Sequence, residues 1–421
     1  MQKLLYVTLK TILAITFIFS GFVKGVEPMG TAIKVNDYFI AFNLEWLSFL
    51  SPVISVILPA IELLLGLLLL VGIYKRVVGN LVLIFMVLFT GLTFYINIYE
   101  PVSDCGCFGD ALILTNEQTL YKNIVLLVFA ICVCIIHRIR NGRVSNSDVY
   151  VRYVNSILDE RQRSEFKYFL LFALFSIFTP IYAYFYHPAI EFLPYKVGVN
   201  INKLIEFKSS DSVQEPLMLY RDKETQNTHE FKLSDTEWQD TLKWEFVKLV
   251  DNIKVESVVS FDVIDEMGDN VAREMLNAEK PIIFIVSRDI YNSEKHVDKI
   301  QDIVKFAKDN CQIAILTTSG INEAKHLLNG YDINKVAVYN MDDTMIKSFV
   351  RAEVGLVVVD NATVLSKHNM RTIFGVEDES DFNKLVSEQT NKKVIYIMIN
   401  LLLVLLICVP LFISRYRNEE N

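Results

Sequence analysis

The stretch DCGCFGD, Asp104 to Asp110, carries two of the chain's six cysteines with one glycine between them. A Cys-x-Cys pair can close a small disulfide ring. Such a ring is strained, and strain makes a disulfide a better oxidant. Gly106 removes side-chain crowding and permits unusual backbone angles. The reactive form of cysteine is the thiolate, and nearby cations favour it. Lys24 and Lys122 are the cations that could lie at the depth of Cys105 and Cys107, whereas Glu100, Asp104 and Asp110 act in the opposite sense. Three readings are open: redox exchange, a permanent disulfide that stiffens the turn, and metal binding. Metal binding is the weakest, because zinc normally takes two more Cys or His ligands and this loop offers none.

A relay to the other cysteines is excluded by length. Cys132 and Cys134 fall deeper in a helix, roughly 20 Å away at 1.5 Å per residue, and with Cys408 they read as apolar packing. Glu62 is the other residue that could do chemistry. It sits in an apolar run three residues after Pro59, and a carboxylate at bilayer depth is costly and a functional candidate by default. It could be a proton site or a hydrogen-bond partner of a quinone headgroup. The structural alternative is a neutral acid bonded to Thr90, Thr93 or Asn97.

These residues need elements to hold them. The chain has 421 residues, is 52% hydrophobic and has a mean hydropathy of +0.33. Its net charge of −8 argues against a nucleic-acid partner. Six segments approach the ~20 apolar residues that a bilayer core requires: Leu4–Val23, Pro52–Ile73, Val77–Ile98, Thr119–Ile136, Tyr168–Phe185 and Val394–Ile413. Lys10 lies near one end of the first and can snorkel. No A-x-A cleavage site follows that segment, so it reads as a retained helix.

Charge in the links sets the expected orientation. Lys75 and Arg76 follow the second segment, and Arg138, Arg140, Arg143, Arg152, Arg161, Arg163 and Lys167 follow the fourth, whereas 99–118 has no Lys or Arg. The positive-inside rule then puts both termini in the cytoplasm. The cysteine loop and residues 186–393 face outward, where disulfides persist. An inner-membrane, multi-pass protein follows. Its divisions are a four-helix membrane unit over 1–140, a cytoplasmic linker over 141–166 and a fifth transmembrane helix over 167–185. An extracytoplasmic extension over 186–259, an α/β domain over 260–390, a sixth transmembrane helix over 394–413 and a cytoplasmic tail over 414–421 complete it.

The α/β reading comes from alternating patterns. KPIIFIVS, CQIAILTTS and NKVAVYN read as buried strands, separated by helical SEKHVDKIQDIVKFAKDN and INEAKHLLNG. GLVVVDNATVLSKHNM reads as a hairpin with an Asp-Asn turn, followed by a helix in DESDFNKLVSE. Cys311 opens a strand and reads as buried, and His296 and Asp298 read as solvated helix residues. Upstream, LMLYRDKETQNTHEFKLSD suggests a hairpin.

Three stretches carry a family resemblance: FIFSGFVKGVEPMGTAIKVNDYFIAF (Phe17–Phe42), LPAIELLLGLLLLVGIYKR (Leu58–Arg76) and DCGCFGDALILTNEQTLYKNIVLL (Asp104–Leu127). They resemble the DoxX-like membrane family, and more narrowly its MauE-type (methylamine utilisation) branch, over Met1 to Arg140. The whole architecture is similar to a Bacteroidetes group with a C-terminal degenerate thioredoxin-like domain. The outward domain resembles the thioredoxin-like fold over Val258–Glu388. The place of the Cys-x-x-Cys reads SRDIYNSEK, without cysteine, and no proline occurs between Pro281 and Pro410 to supply the family's cis-proline. This domain is therefore expected to have no thiol chemistry of its own. It would dock a partner or act as a structural cap over the cysteine loop.

The resemblance implies membrane redox work, either thiol–disulfide exchange or quinone-linked electron transfer. The expectation is that Cys105 and Cys107 exchange disulfides with an extracytoplasmic protein, with Lys24, Glu62 and Lys122 in support and a membrane quinone as candidate acceptor. A Cys107→Ser variant would then accumulate mixed disulfides. No metal is expected. The rival is a non-enzymatic membrane scaffold whose cysteine pair is a fixed clip and whose outward domain docks a partner.

Overall fold

The computed structural model describes residues 2–102, 104–141, 150–186, 190–205, 217–223, 228–232, 235, 237–240, 243–250, 260–307, 311–329, 331, 336–373 and 375–387. The expected sixth membrane helix and the tail lie outside the described residues.

The apolar segments fold as α1 (Gln2–Val26), α3 (Ser51–Val71), α4 (Lys75–Tyr99), α5 (Asn116–Asn141) and α6 (Tyr150–Phe185). Among the described residues, five stretches are long and apolar enough to cross a membrane: Lys3–Val26, Glu45–Val71, Lys75–Tyr99, Asn116–Ile139 and Glu165–Phe185. The chain is a multi-pass membrane protein. Bulky apolar side chains such as Leu4, Ile15, Leu88 and Leu174 remain exposed on the bundle's outside, as lipid-facing positions must. α6 starts 18 residues before the expected Tyr168 and takes in polar residues read as linker.

The first link is more structured than its sequence suggested. It holds a second helix, α2 (Pro28–Ala41), which starts on a proline, and a short 3₁₀ turn, Glu45–Leu50. Trp46 and Phe49 on that turn are exposed, as suits an aromatic anchor at the membrane interface.

α1 and α3 cross at backbone contact. A Cβ on Gly66 would stand 2.7 Å from Ile18 N, and one on Gly21 would collide with Leu63 N. Small residues allow such approach in a bilayer, where packing rather than water release drives association. Leu13, Phe17, Leu63 and Leu67 fill the resulting core. α4 and α5 are tied by Asn123 Nδ2 donating to Thr93 Oγ1 at 3.2 Å.

The remaining described residues include two sheets. β1 (Leu217–Asp222), β2 (Thr228–Lys232) and β3 (Trp244–Val250) make an antiparallel sheet in the order β2-β1-β3, packed around Tyr220, Phe231 and Trp244. A short helix, α7 (Ala272–Leu276), precedes the larger sheet. That sheet comprises β4 (Ile282–Ser287), β5 (Gln312–Thr317), β6 (Ala337–Asn340), β7 (Val354–Asp360) and β8 (Thr363–Asn369), ordered β6-β5-β4-β7-β8. β5 is parallel to β4 and to β6, and β7 is antiparallel to β4 and β8. β4 is buried on both faces, which is why its sequence is an unbroken apolar run.

Around this sheet the expected long helix divides into α8 (Tyr291–Glu294) and α9 (Val297–Ala307) at Lys295–His296. α10 (Ile321–Leu328) and the last helix lie where expected. α11 (Asp343–Phe349) was not anticipated, although Asp342 caps it by accepting from Thr344 N at 2.8 Å. The last helix is α12 (Glu379–Ser387). The hairpin turns on Asn361 and Ala362, both at positive φ, one residue later than the Asp-Asn reading. Cys311 is half-buried rather than buried. His296 is half-buried and Asp298 exposed.

Pairing of Ser287 with Val354 and of Gly355 with Asn369 puts the end of β4, the start of β7 and the end of β8 at one end of the sheet. Residues at that end reach the membrane bundle. Arg371, just past β8, donates to the Tyr184 hydroxyl near the end of α6 at 3.0 Å, and Arg351, just before β7, meets Glu27 and Asp110.

Candidate functional site

The cysteine loop is held from both sides. Asp104 accepts from Gly106 N at 3.0 Å, Gly106 takes φ +65°, and Gly109 N donates to Gly106 O at 3.0 Å. These bonds turn the chain so that Cys105 and Cys107 point the same way, with their sulfurs 3.0 Å apart. α5 then begins at a capping box: Gln118 N donates to Thr115 Oγ1 and Thr115 N to Gln118 Oε1, each at 3.2 Å. One turn later Lys122 stands 4.2 Å over the Phe108 ring.

α2 supplies the other wall. Lys34 and Tyr38, four residues apart, share one helix face. Lys34 Nζ pairs with Asp104 at 2.5 Å, and the Tyr38 hydroxyl donates to the Cys105 carbonyl at 2.8 Å. The amphipathic pattern around these two residues could have flagged α2. α1 and α3 supply the floor. Their close crossing places Lys24 Nζ 2.6 Å from Glu62 Oε1, and Ser20 Oγ bonds both Glu62 Oε2 at 2.8 Å and the Cys107 carbonyl at 2.7 Å.

Glu62 is therefore not bonded to Thr90, Thr93 or Asn97. Thr90 and Thr93 bond backbone carbonyls of α4 instead, and the carboxylate turns to α1 because the glycine crossing brings Ser20 and Lys24 within reach. Lys24, Glu62, Lys122 and Cys107 line one cavity together with Phe85 and Phe89. Cys134 is elsewhere, its thiol meeting the Gly79 carbonyl at 3.3 Å near the start of α4, whereas the cysteine loop follows that helix's end.

The two thiols are electrostatically unequal. The Cys107 thiol is held down to about 6, chiefly by the hydrogen bond from Cys105 and further by the Lys122 and Lys24 ammoniums, against burial and the Glu62 charge. Cys105 is pushed well above the ordinary thiol range, first by its bond to Cys107 and then by burial. The surroundings thus favour the thiolate at Cys107 over Cys105. Two of the three acids expected to oppose a thiolate are compensated: Lys34 pairs with Asp104 and Arg351 with Asp110. No local signal could have found Arg351, which is 241 residues from Asp110.

A second cavity of about 160 Å³ opens between α2, α3, α4 and the loop, lined by both cysteines, Lys24, Lys34, Tyr38 and apolar Leu58, Phe89 and Leu92. Its polar lining sets the donors Lys24, Lys34 and Tyr38 beside the Asp110 carboxylate, and its apolar wall comes from membrane-spanning segments. The three donors and the apolar wall suit the carbonyl oxygens and ring of a lipophilic quinone.

Comparisons with known proteins agree with this bundle. Residues 1–136 match the family model for methylamine utilisation protein MauE. The chain is similar to protein TlpB of Flavobacterium psychrophilum, 26% identical over 123 residues, which is 28% of this chain. The match spans 34% of the length of that curated relative. No solved structure matches.

Proposed function

We propose, from the match of residues 1–136 to the MauE family model, that the chain is a membrane thiol–disulfide oxidant of extracytoplasmic proteins. The observation that carries this reading is the geometry of the pair: two sulfurs 3.0 Å apart, with Cys107 lining the same cavity as Lys24 and Lys122, whose charges favour its thiolate. A disulfide whose reduced form contains a stabilised thiolate is the stronger oxidant.

The exchange balances as follows. A partner thiolate attacks the Cys105–Cys107 disulfide at one sulfur, and the other sulfur leaves with the electron pair. The second partner thiol, losing its proton, attacks the mixed disulfide and closes the partner's disulfide. The chain is left with Cys107 as thiolate and Cys105 as thiol, and the partner has lost two electrons. Lys24 and Lys122 stabilise the thiolate, and Glu62 holds Lys24 in place. A quinone in the 160 Å³ cavity would take up the two electrons and the Cys105 proton that return the pair to the disulfide, with a second proton from water completing the quinol. Lys34, Lys24 and Tyr38 would orient it there, and Leu58, Phe89 and Leu92 would keep water from it.

We read the larger sheet as a thioredoxin-like domain without its cysteines. The support is its order, three parallel strands, β6-β5-β4, beside an antiparallel hairpin. The orientation that serves this function has both termini in the cytoplasm of an inner membrane and the loop outside, supported by the charge asymmetry of the links.

Trapping tests the reading. With Cys107 as the reactive sulfur, Cys105→Ser should accumulate mixed disulfides with outward proteins more than Cys107→Ser does. If neither variant captures a thiol partner and the isolated pair stays oxidised at periplasmic potentials, the pair is a fixed clip and the oxidant reading is wrong.

A further inference from the structure

Charges away from the cysteines converge on one arginine. Arg351 is buried in the link between α11 and β7. Its Nε donates to Glu27 Oε1 at 3.2 Å, and a terminal nitrogen bonds Asp110 Oδ2. Glu27 joins α1 to α2, three residues beyond Lys24, and Asp110 is three residues beyond Cys107. Gly30 makes room for this contact, since a Cβ there would stand 2.8 Å from Asp110 Oδ2 and 3.6 Å from the guanidinium carbon.

We propose that Arg351 is a positioning residue for the cysteine site: through it the α/β domain holds the cysteine loop against α1 and keeps Cys107 beside Lys24. A plain cap would only cover the loop. Arg351 instead ties the loop to the end of the helix that carries Lys24, using two arms of one rigid fork. Without the guanidinium, the Glu27 and Asp110 carboxylates would face each other in a buried place with no cation between them. Their repulsion acts directly on the loop–α1 contact, and the pull of Lys24 on the thiolate falls as the two separate. The inference rests on Cys107 being the reactive sulfur and needs no partner or acceptor.

The test is alkylation of the reduced full-length chain by iodoacetamide across pH, in a background where Cys132, Cys134, Cys311 and Cys408 are replaced by alanine. Arg351→Gln should raise the alkylation midpoint by about one unit, which slows the reaction about tenfold at pH 5, well below the midpoint, and only about twofold at pH 7. Adding Glu27→Gln and Asp110→Asn to Arg351→Gln removes the repulsion and should recover most of the rate. A cap that merely occludes the pair predicts the reverse, faster alkylation with an unmoved midpoint, and that result overturns the proposal. So does a triple variant as slow as Arg351→Gln alone. Failure to trap a partner would count against the proposed function and leave this result standing.

Discussion

Lys24 Nζ and Glu62 Oε1 lie 2.6 Å apart, each side chain 4% exposed, directly beneath the Cys107 carbonyl that Ser20 ties to Glu62. A buried ion pair seldom raises stability over an apolar replacement, because desolving both charges offsets their attraction. Its placement beside a thiolate therefore points to a role at the sulfur.

Removing one partner of that pair should be far worse than removing both. Lys24→Met leaves the Glu62 carboxylate unpaired and should cost about 3–5 kcal/mol, read as a lower unfolding temperature in detergent. Lys24→Met with Glu62→Leu should recover most of that loss. The double variant should still alkylate more slowly at Cys107 near neutral pH, since the cation that favours the thiolate is gone.

The pH profile of the pair follows from its asymmetry. Iodoacetamide should modify Cys107 with a midpoint near 6, so that about nine-tenths of it is thiolate at pH 7. Cys105→Ser replaces the thiol donor and should move the midpoint upward. A midpoint in the ordinary thiol range in the unmodified chain would remove the electrostatic basis of the site.

Glycine crossings give a stability contrast. Gly66→Ala must push its Cβ against the α1 backbone at Ile18 and should cost about 1–3 kcal/mol. Gly91→Ala, on α4 with open space around it, should be neutral or slightly stabilising through helix propensity. Equal melting temperatures for the two variants would contradict the close packing of α1 on α3.

Docking of the α/β domain should weaken as pH rises. Burial pushes Glu27 up to about 7, with Asp110 and Glu191 adding to the rise and Arg351 opposing it; Lys367 faces the same cluster. An acid whose docked value lies above its free value favours docking when protonated. Docking is thus strongest below about 4.5, the ordinary value, and weakens up to about 7, where the effect levels off. Hydrogen exchange in residues 354–369 of this domain should rise across that window, and Glu27→Gln should flatten the response.

Much of the architecture was legible because it rests on local patterns. Apolar runs announced the membrane helices, and the strands of the larger sheet followed from short buried runs between amphipathic helices. α11 escaped because seven residues give too few turns for a period to stand out. The α2 helix escaped because its charged and aromatic residues resemble those of an ordinary loop until Lys34 and Tyr38 are seen facing the cysteines. The partner of Glu62 was misread because the crossing of α1 and α3 depends on where Gly21 and Gly66 meet.

From sequence alone came the residue types that could react, Cys105, Cys107, Lys24, Glu62 and Lys122, and the membrane setting, since hydropathy and short spacing are properties of neighbouring residues. Tertiary structure decided which cations share a cavity with Cys107, which carboxylate meets which cation, and that a residue 241 positions downstream sits beside the loop. Those relationships arise from Coulomb fields and backbone contacts between remote segments, and such terms exist only once the chain has brought the segments together.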